Sequence, residues 1–310
     1  MFAILEIKLV FFKKFMPKEN KIKFGFPAGA IKDQTVGLFK MAGYEINFDE
    51  KFQKVEIDDP EINCLVTRPI EIAPFVEKGV LDAGIVTEAA VLETKAKVVD
   101  VCDLGYEKSL WRKAKVILAV PENSKIKLLR DLKGKKIVTR IPKITKEFLR
   151  KNKVSPEVVF SDMLVNESKV GIVADAIVEL YNRGSTLRAY NLKPLKILME
   201  SGAMLVANKQ AFLKDKWKKE KIEGLGYLLK GARLAQEYSG LMLHASNEMM
   251  EEVLKVLPAL KKPTVTQLRG ENWFDVLTVA NKKEIRNIIP KLKKIGCIDI
   301  VEFPLNKVVI

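Results

Sequence analysis

Short apolar runs alternate with helix-spaced segments along most of this chain, and that alternation limits the fold more than any other feature. Residues 21–26, 62–67, 81–86, 115–120, 136–139, 158–160 and 174–180 read as short strands. Between 32 and 42, Val36, Phe39 and Ala42 share one helical face, and Gly43 ends the segment. Residues 72–78, 128–134 and 145–152 read as further short helices. Residues 196–205 read as strands again, and 215–236 as a long helix with Trp217, Ile222, Leu225, Leu229 and Ala232 on one side. Strands and helices in turn predict an α/β architecture with largely parallel sheets. A chain of 310 residues suits about two domains of ~100–200 residues.

The pattern changes near the end. Residues 240–245 read as a strand, 248–257 as a helix, 264–268 and 273–279 as strands, 283–295 as a helix and 297–303 as a strand. That order, βαββαβ, is the order of a ferredoxin-like unit. Behind a larger body such a unit serves regulation, assembly or packing.

Several kinds of chemistry are excluded by the residue inventory. Cys64, Cys102 and Cys297 are far apart, and His244 is the only histidine. No zinc cluster or disulfide framework can be built from that set, and a reducing, cytoplasmic setting is expected. No nucleophile elbow accompanies His244, which reads as a structural residue in a strand. Lys plus Arg total 54 against 39 Asp plus Glu, a net charge of +15, which attracts nucleotides and phosphorylated sugars. No aromatic and basic interleaving suggests a nucleic-acid platform, so no nucleic-acid partner is expected. The lysines of 214–221 read as a solvated helix face, and Trp111, Trp217 and Trp273 as packing residues. Residues 1–20 read as an N-terminal extension, an extra strand or a loose arm, with Met16 as an alternative start. Their apolar run is broken by Glu6 and Lys8 and is shorter than the ~20 residues a bilayer requires, so no membrane partner is expected.

The sharpest local signal lies between Ala174 and Arg188. On a strand the side-chain period is two, so Asp175, Ile177 and Glu179 share a face. A Gly184-Ser185-Thr186 turn and a helix start follow. Carboxylates near the C-terminal end of a strand, then free N–H groups and hydroxyls at a turn, suit a sugar phosphate. The acids take ribose hydroxyls and the turn takes the 5-phosphate.

This segment resembles the phosphoribosyl-pyrophosphate motif of the ATP phosphoribosyltransferases, which reads roughly as ADAIVDL, a Gly-Thr-rich turn and TLRAN. Further similarities run from about residue 21 to the C-terminus. They include Asp58-Asp59-Pro60-Glu61-Ile62, Gly79-Val80-Leu81-Asp82-Ala83-Gly84-Ile85, Leu118-Ala119-Val120-Pro121-Glu122, and the stretch from Asp215 to Ile222. Leu257-Pro258 through Thr264-Val265 and Phe303-Pro304-Leu305-Asn306-Lys307 are similar too. The resemblance implies the long form of the enzyme. Its two-lobed body is like a type II periplasmic binding protein, with lobe I at 21–114 and 196–237 and lobe II at 115–195. A ferredoxin-like regulatory domain at 238–310 follows. It also implies attack of N1 of ATP on C1 of phosphoribosyl pyrophosphate, with Mg²⁺ held by the pyrophosphate and no direct protein ligand. Asp175 and Glu179 would be the catalytic, ribose-binding acids. Arg183, Gly184, Ser185, Thr186 and Leu187 would complete the phosphoribosyl-pyrophosphate site, and Gly29, Lys32, Arg68 and Thr87 would bind ATP. Histidine would inhibit near Thr264, and the chain would form a homo-oligomer, a dimer or a hexamer.

The chain departs from the family at several places, among them Gly84-Ile85-Val86-Thr87-Glu88-Ala89 where Gly-Ile-Thr-Gly-x-Asp is usual, Pro74, Arg183 and Tyr190-Asn191, and above all at one turn. Where Pro-Lys-Gly-Arg-Leu or Pro-Lys-Gly-Ser-Leu is usual, it has Pro27-Ala28-Gly29-Ala30-Ile31. Lys32 and Arg183 are the nearby cations that could compensate. A rival reading follows from the same departure: a catalytically degenerate paralogue that binds a nucleotide or another small molecule on the same scaffold.

Overall fold

The computed structural model describes residues 20–107, 111–162, 166–181, 184–258, 260, 262–270 and 272–309. The N-terminal extension, save its last residue, and Arg183 lie outside the described residues. The first lobe contains β1 (Ile22–Pro27), α1 (Lys32–Met41), the hairpin β2 (Ile46–Asp49) and β3 (Lys54–Ile57), and β4 (Ile62–Thr67). It continues through α2 (Pro69–Glu77), β5 (Ala83–Thr87), α3 (Glu88–Thr94) and β6 (Val99–Asp103). The chain then crosses to a second lobe of β7 (Ala114–Pro121), β8 (Lys136–Thr139), α4 (Pro142–Lys151), β9 (Glu157–Phe160), β10 (Ala176–Tyr181), α5 (Ser185–Ala189) and β11 (Leu192–Ser201). It returns to the first lobe with β12 (Ala203–Ala207), α6 (Lys209–Lys214) and α7 (Lys216–Ala235).

The first sheet has the order β4-β1-β5-β12-β6 and the second β11-β7-β10-β8-β9. One strand in each runs against its neighbours, β12 in the first and β7 in the second. Each is the strand by which the chain enters from the opposite lobe. No crossover helix turns the chain back at these points, so the strand enters antiparallel. The sheets are therefore less uniformly parallel than the alternation predicts.

The lobe boundary also differs from expectation. β11 pairs with β7 from Leu192↔Pro121 to Ser201↔Ala114, so the second lobe runs over 114–201 and not 115–195. The break falls at Gly202. A Cβ there would stand 2.8 Å from Lys113 Cγ, where the two crossings pass each other. The helix expected over 128–134 is a single tight turn, Leu129–Leu132. The Asp131 carboxylate accepts from the N–H groups of Lys127 (3.0 Å) and Leu128 (2.9 Å) and so holds a turn instead of a helix.

The first core centres on Phe24, Phe26 and Phe39, all fully buried, with Phe39 5.8 and 5.7 Å from the other two rings. Each such side chain contributes about 1.5–3 kcal/mol by burial. α7 lays Ile222, Leu225, Leu229 and Ala232 on the same core. Its lysines are not simply a solvated face. Lys218 Nζ lies 2.7 Å from Asp82, and Lys221 Nζ lies 2.7 Å from Asp59 and 2.6 Å from Glu61. Three of the sequence landmarks are thus joined by three ion pairs that tie α7 to the first sheet.

The third domain holds β13 (Tyr238–Ser246), α8 (Met250–Val256), β14 (Thr264–Gln267), β15 (Trp273–Asn281), α9 (Lys282–Ile295) and β16 (Ile298–Pro304). Its sheet order, β14-β15-β13-β16, all antiparallel, is that of the predicted ferredoxin-like unit. The C-terminal tail returns to the first lobe. Lys307 Nζ donates to the Ala42 carbonyl (2.8 Å), and the Val308 N–H donates to the Gly231 carbonyl (2.9 Å). Among the described residues no helix is long and apolar enough to cross a membrane.

Candidate active site

A cavity of about 310 Å³ lies between the two lobes. The Ala28-Gly29-Ala30 turn, Arg68, Thr87 and Glu107 form its wall on the first lobe. Arg140, Phe160, Asp162 and Glu179 form the opposite wall. These residues sit at the C-terminal ends of β1, β4, β5, β8, β9 and β10, where ligands of α/β sheets bind.

Contacts between the lobes close around this space. Arg68 Nη1 donates to Asp162 at 2.7 Å across the mouth. Farther back, the buried Glu93 carboxylate accepts from the N–H groups of Lys143 and Ile144, both at 2.9 Å. Helix α4 has Ile141 at its N-cap, which offers no side-chain cap. Its capping group therefore comes from the other lobe.

Arg68 stands at the N-terminus of α2. Its Nη2 is 3.3 Å from Glu71, whose carboxylate also accepts from the Thr67 hydroxyl. Those bonds, the threonine first, hold the Glu71 pKa below its ordinary value. Thr87 ends β5 and accepts from the Ala90 N–H at 3.2 Å, so it caps α3 while facing the cleft. Gly29 has φ +79°, and nothing lies within 4 Å of where a Cβ would project. The turn is bare and open toward the cavity.

Lys32 does not serve that turn. Its ammonium pairs with Glu50, lies 3.4 Å from Asp33, and stands 4.7 Å over the Phe48 ring. The β2–β3 hairpin, unrecognised in the sequence, supplies Glu50 and Phe48 and draws the lysine away from the cleft.

Glu179 is half-buried on β10, 3.4 Å from Asn166 Nδ2 and 3.2 Å from the Leu180 N–H. Burial pushes its pKa above the ordinary carboxylate value, while the Leu180 N–H, Arg140 and Asn166 oppose the rise. Asp175 is not beside it. Asp175 precedes β10, where its carboxylate accepts from the Lys136 N–H (2.9 Å) and lies 3.4 Å from Lys135 Nζ. At about 3.3 Å per residue the two acids are about 13 Å apart along the strand. Asp175 stands before the strand begins and Glu179 lies toward its far end.

Gly184, Ser185 and Thr186 follow Tyr181 at the end of β10, yet they do not line the cavity. Gly184 has φ +74°, and a Cβ there would meet Tyr181 Oη at 2.9 Å, so glycine is required. Ser185 and Thr186 are exposed. The Leu187 side chain is buried in the second-lobe core, leaving only its backbone for a ligand. Thr264 is exposed on the edge strand β14, opposite Leu277. His244 lies 3.0 Å from Asp299, on the same domain.

Glu93, Glu107, Arg140 and Asn166 escape the sequence reading. A signal for Arg140 was present. It follows the predicted strand 136–139 directly, at the end where the parallel-sheet rule places ligands. Glu93 had none, because its partner helix belongs to another lobe.

The description "ATP phosphoribosyltransferase" belongs to a family model that matches residues 68–231, and "HisG, C-terminal domain" to one that matches 235–307. An ATP phosphoribosyltransferase of Thermodesulfovibrio yellowstonii is 39% identical over 292 residues, covering 94% of this chain and 99% of the relative. Another, of Desulforudis audaxviator, is 40% identical over 289 residues, covering 93% and 99%. Among solved structures, a chain of the ATP phosphoribosyl transferase (HisG:HisZ) complex from Thermotoga maritima superposes with a TM-score of 0.55 at 18% identity. It covers 67% of this chain and 98% of its own, a likeness of fold. With more than nine-tenths of its length matched at this identity, the chain belongs to the ATP phosphoribosyltransferases, the enzymes that open histidine biosynthesis by transferring phosphoribosyl from phosphoribosyl pyrophosphate to N1 of ATP.

Proposed function

We propose that this transfer takes place in the interlobe cleft, with the phosphoribosyl donor on the second-lobe wall and ATP against the first. The observation that carries this is the facing of Glu179 by Arg68, Thr87 and the open Gly29 turn across one cavity. Glu179 holds the ribose hydroxyls. The turn at Gly184, Ser185 and Thr186, the Leu187 N–H and Arg183 receive the 5-phosphate. Gly29, Arg68 and Thr87 contact ATP. Asp175 acts at a distance, fixing the start of β10 against β8.

The N1 lone pair of adenine forms the new bond to C1. The C1–O bond breaks, and its electron pair leaves with pyrophosphate. No proton is abstracted from N1, so positioning and charge stabilisation suffice. Magnesium arrives chelated to the pyrophosphate of the substrate. Among the described residues no three His, Cys, Asp or Glu side chains gather as a cation site. The third domain is the seat of histidine inhibition near Thr264, and the chain works in the cytoplasm as a homo-oligomer, a dimer or a hexamer. The edge strand β14, exposed and paired on one side only, is compatible with assembly.

The test is turnover of ATP and phosphoribosyl pyrophosphate with Mg²⁺, followed by the N1-phosphoribosyl-ATP chromophore. Glu179→Gln should abolish it, and Asp175→Asn should chiefly lower stability. A folded wild type without turnover, or an active Glu179→Gln enzyme, would overturn the reading.

A further inference from the structure

The first-lobe turn that faces the cavity, Ala28-Gly29-Ala30, carries no charge, and Lys32 is held by Glu50 on the hairpin side. Two cationic side chains remain among the described lining residues, Arg68 and Arg140. Arg68 is spanned by two carboxylates, Glu71 and Asp162. Arg140 comes from the opposite lobe, and its place follows from strand register. β8 and β10 run parallel, with Ile137, Val138 and Thr139 opposite Ala176, Ile177 and Val178 in order. The ladder is held at its end by the Thr139 hydroxyl, which donates to the Val178 carbonyl at 2.9 Å. The ladder ends there; Arg140 and Glu179 are the residues that directly follow its last rung on the two segments, and both line the cavity.

That placement suits the donor substrate. The C2 hydroxyl of its ribose and the pyrophosphate on C1 stand on adjacent carbons. A carboxylate on the hydroxyl therefore brings the leaving group within reach of the neighbouring guanidinium. A guanidinium binds phosphate oxygens bidentately and never loses its proton.

We propose that Arg140 is a catalytic residue of this enzyme: it binds the pyrophosphate of the donor and neutralises the charge that grows there as the C1–O bond breaks. The cation that the bare turn lacks is thereby supplied from the second lobe. The inference rests on the reading that Glu179 holds the ribose. It has support in the electrostatics of that acid, whose raised pKa is opposed by Arg140.

The experiment compares wild type, Arg140→Met, Arg140→Lys and Glu179→Gln. It uses steady-state kinetics in both substrates, the pH profile, and calorimetric binding of Mg²⁺-pyrophosphate as the probe. Removal of one such group costs ~10²–10³ in rate. Arg140→Met should lose that much in kcat/KM for phosphoribosyl pyrophosphate, bind pyrophosphate at least about tenfold more weakly, and leave the KM for ATP near its wild-type value. Its acid limb should move to higher pH, because Glu179 loses the cation that opposes its protonation. Arg140→Lys should recover part of the rate. Arg140→Met within threefold of wild type, or with unchanged pyrophosphate binding, overturns the proposal. If Glu179→Gln is inactive in that same series, the ribose reading survives and the role of Arg140 alone falls. An active Glu179→Gln enzyme removes both.

Discussion

Glu93 joins the two lobes by capping a helix of one from the other. It sits in the first lobe and accepts from two backbone N–H groups in the first turn of a second-lobe helix, both at 2.9 Å. A hydrogen bond to a charged acceptor contributes about 1.5–3 kcal/mol, and an anion at a helix N-terminus about 0.3–1 kcal/mol more. The two bonds share one carboxylate, and the freed N–H groups regain water once the lobes part. Glu93→Ala should therefore cost about 2–4 kcal/mol, one cap and one buried charged bond. Glu93→Gln, which keeps one acceptor, should cost about half of that. The assay is urea unfolding followed by two probes. Trp111 and Trp217 pack on the first-lobe core, and Trp273 belongs to the third domain. Tryptophan fluorescence thus reports on everything but the second lobe, whereas far-ultraviolet circular dichroism reports on all three units. In Glu93→Ala the dichroism transition should begin at lower urea than the fluorescence transition. Coincident curves with a change below about 0.5 kcal/mol, the range of an ordinary surface substitution, would refute the assignment of this carboxylate as the cap of α4.

Four other outcomes follow from the same geometry. Glu179 has a native pKa above its unfolded value, so the native state holds the proton more tightly, and stability is lost as the pH rises through the native pKa. Glu179→Gln should accordingly raise Tm at pH 7–8, with the advantage vanishing below about pH 4, although turnover is abolished. Asp162→Asn removes an ion pair whose partners are both more than half exposed, so Tm should barely move, while the KM for the phosphorylated substrates changes as Arg68 is released. Lys221→Met leaves Asp59 and Glu61 without their ammonium and should lower Tm visibly in a thermal melt, unlike Lys216→Met on the exposed side of the same helix. Burial pushes the Cys64 thiol up to about 12, so in native protein at pH 8 it should resist a thiol reagent that labels it fully in urea.

The α/β class, the ferredoxin-like order and most strands were legible because each rests on local periodicity. The boundary at Gly202 was not. Leu192–Ser201 and Ala203–Ala207 are apolar strands of the same kind, and only their pairing with different sheets separates them. Glu179 could be chosen from its place in the motif. The strand period that selected it selected Asp175 equally, since period two specifies a face and says nothing of which end of the strand faces a ligand. Lys32 illustrates a second limit. Its distance from the turn along the chain is short, but Glu50 and Phe48 from a hairpin decide where its ammonium lies. Lys218 and Lys221 looked solvated for a similar reason: their partners lie more than a hundred residues away.

The discontinuity of the first lobe has a consequence during synthesis. β12 fills the gap between β5 and β6, and it leaves the ribosome only after the entire second lobe has been made. The first sheet therefore waits, with the edges of β5 and β6 unpaired, for a strand about a hundred residues downstream. The second lobe needs nothing beyond its own contiguous residues to complete its sheet. The nascent chain thus finishes its middle before its beginning, and the exposed edges of β5 and β6 are the segment a chaperone has most reason to hold in the interval.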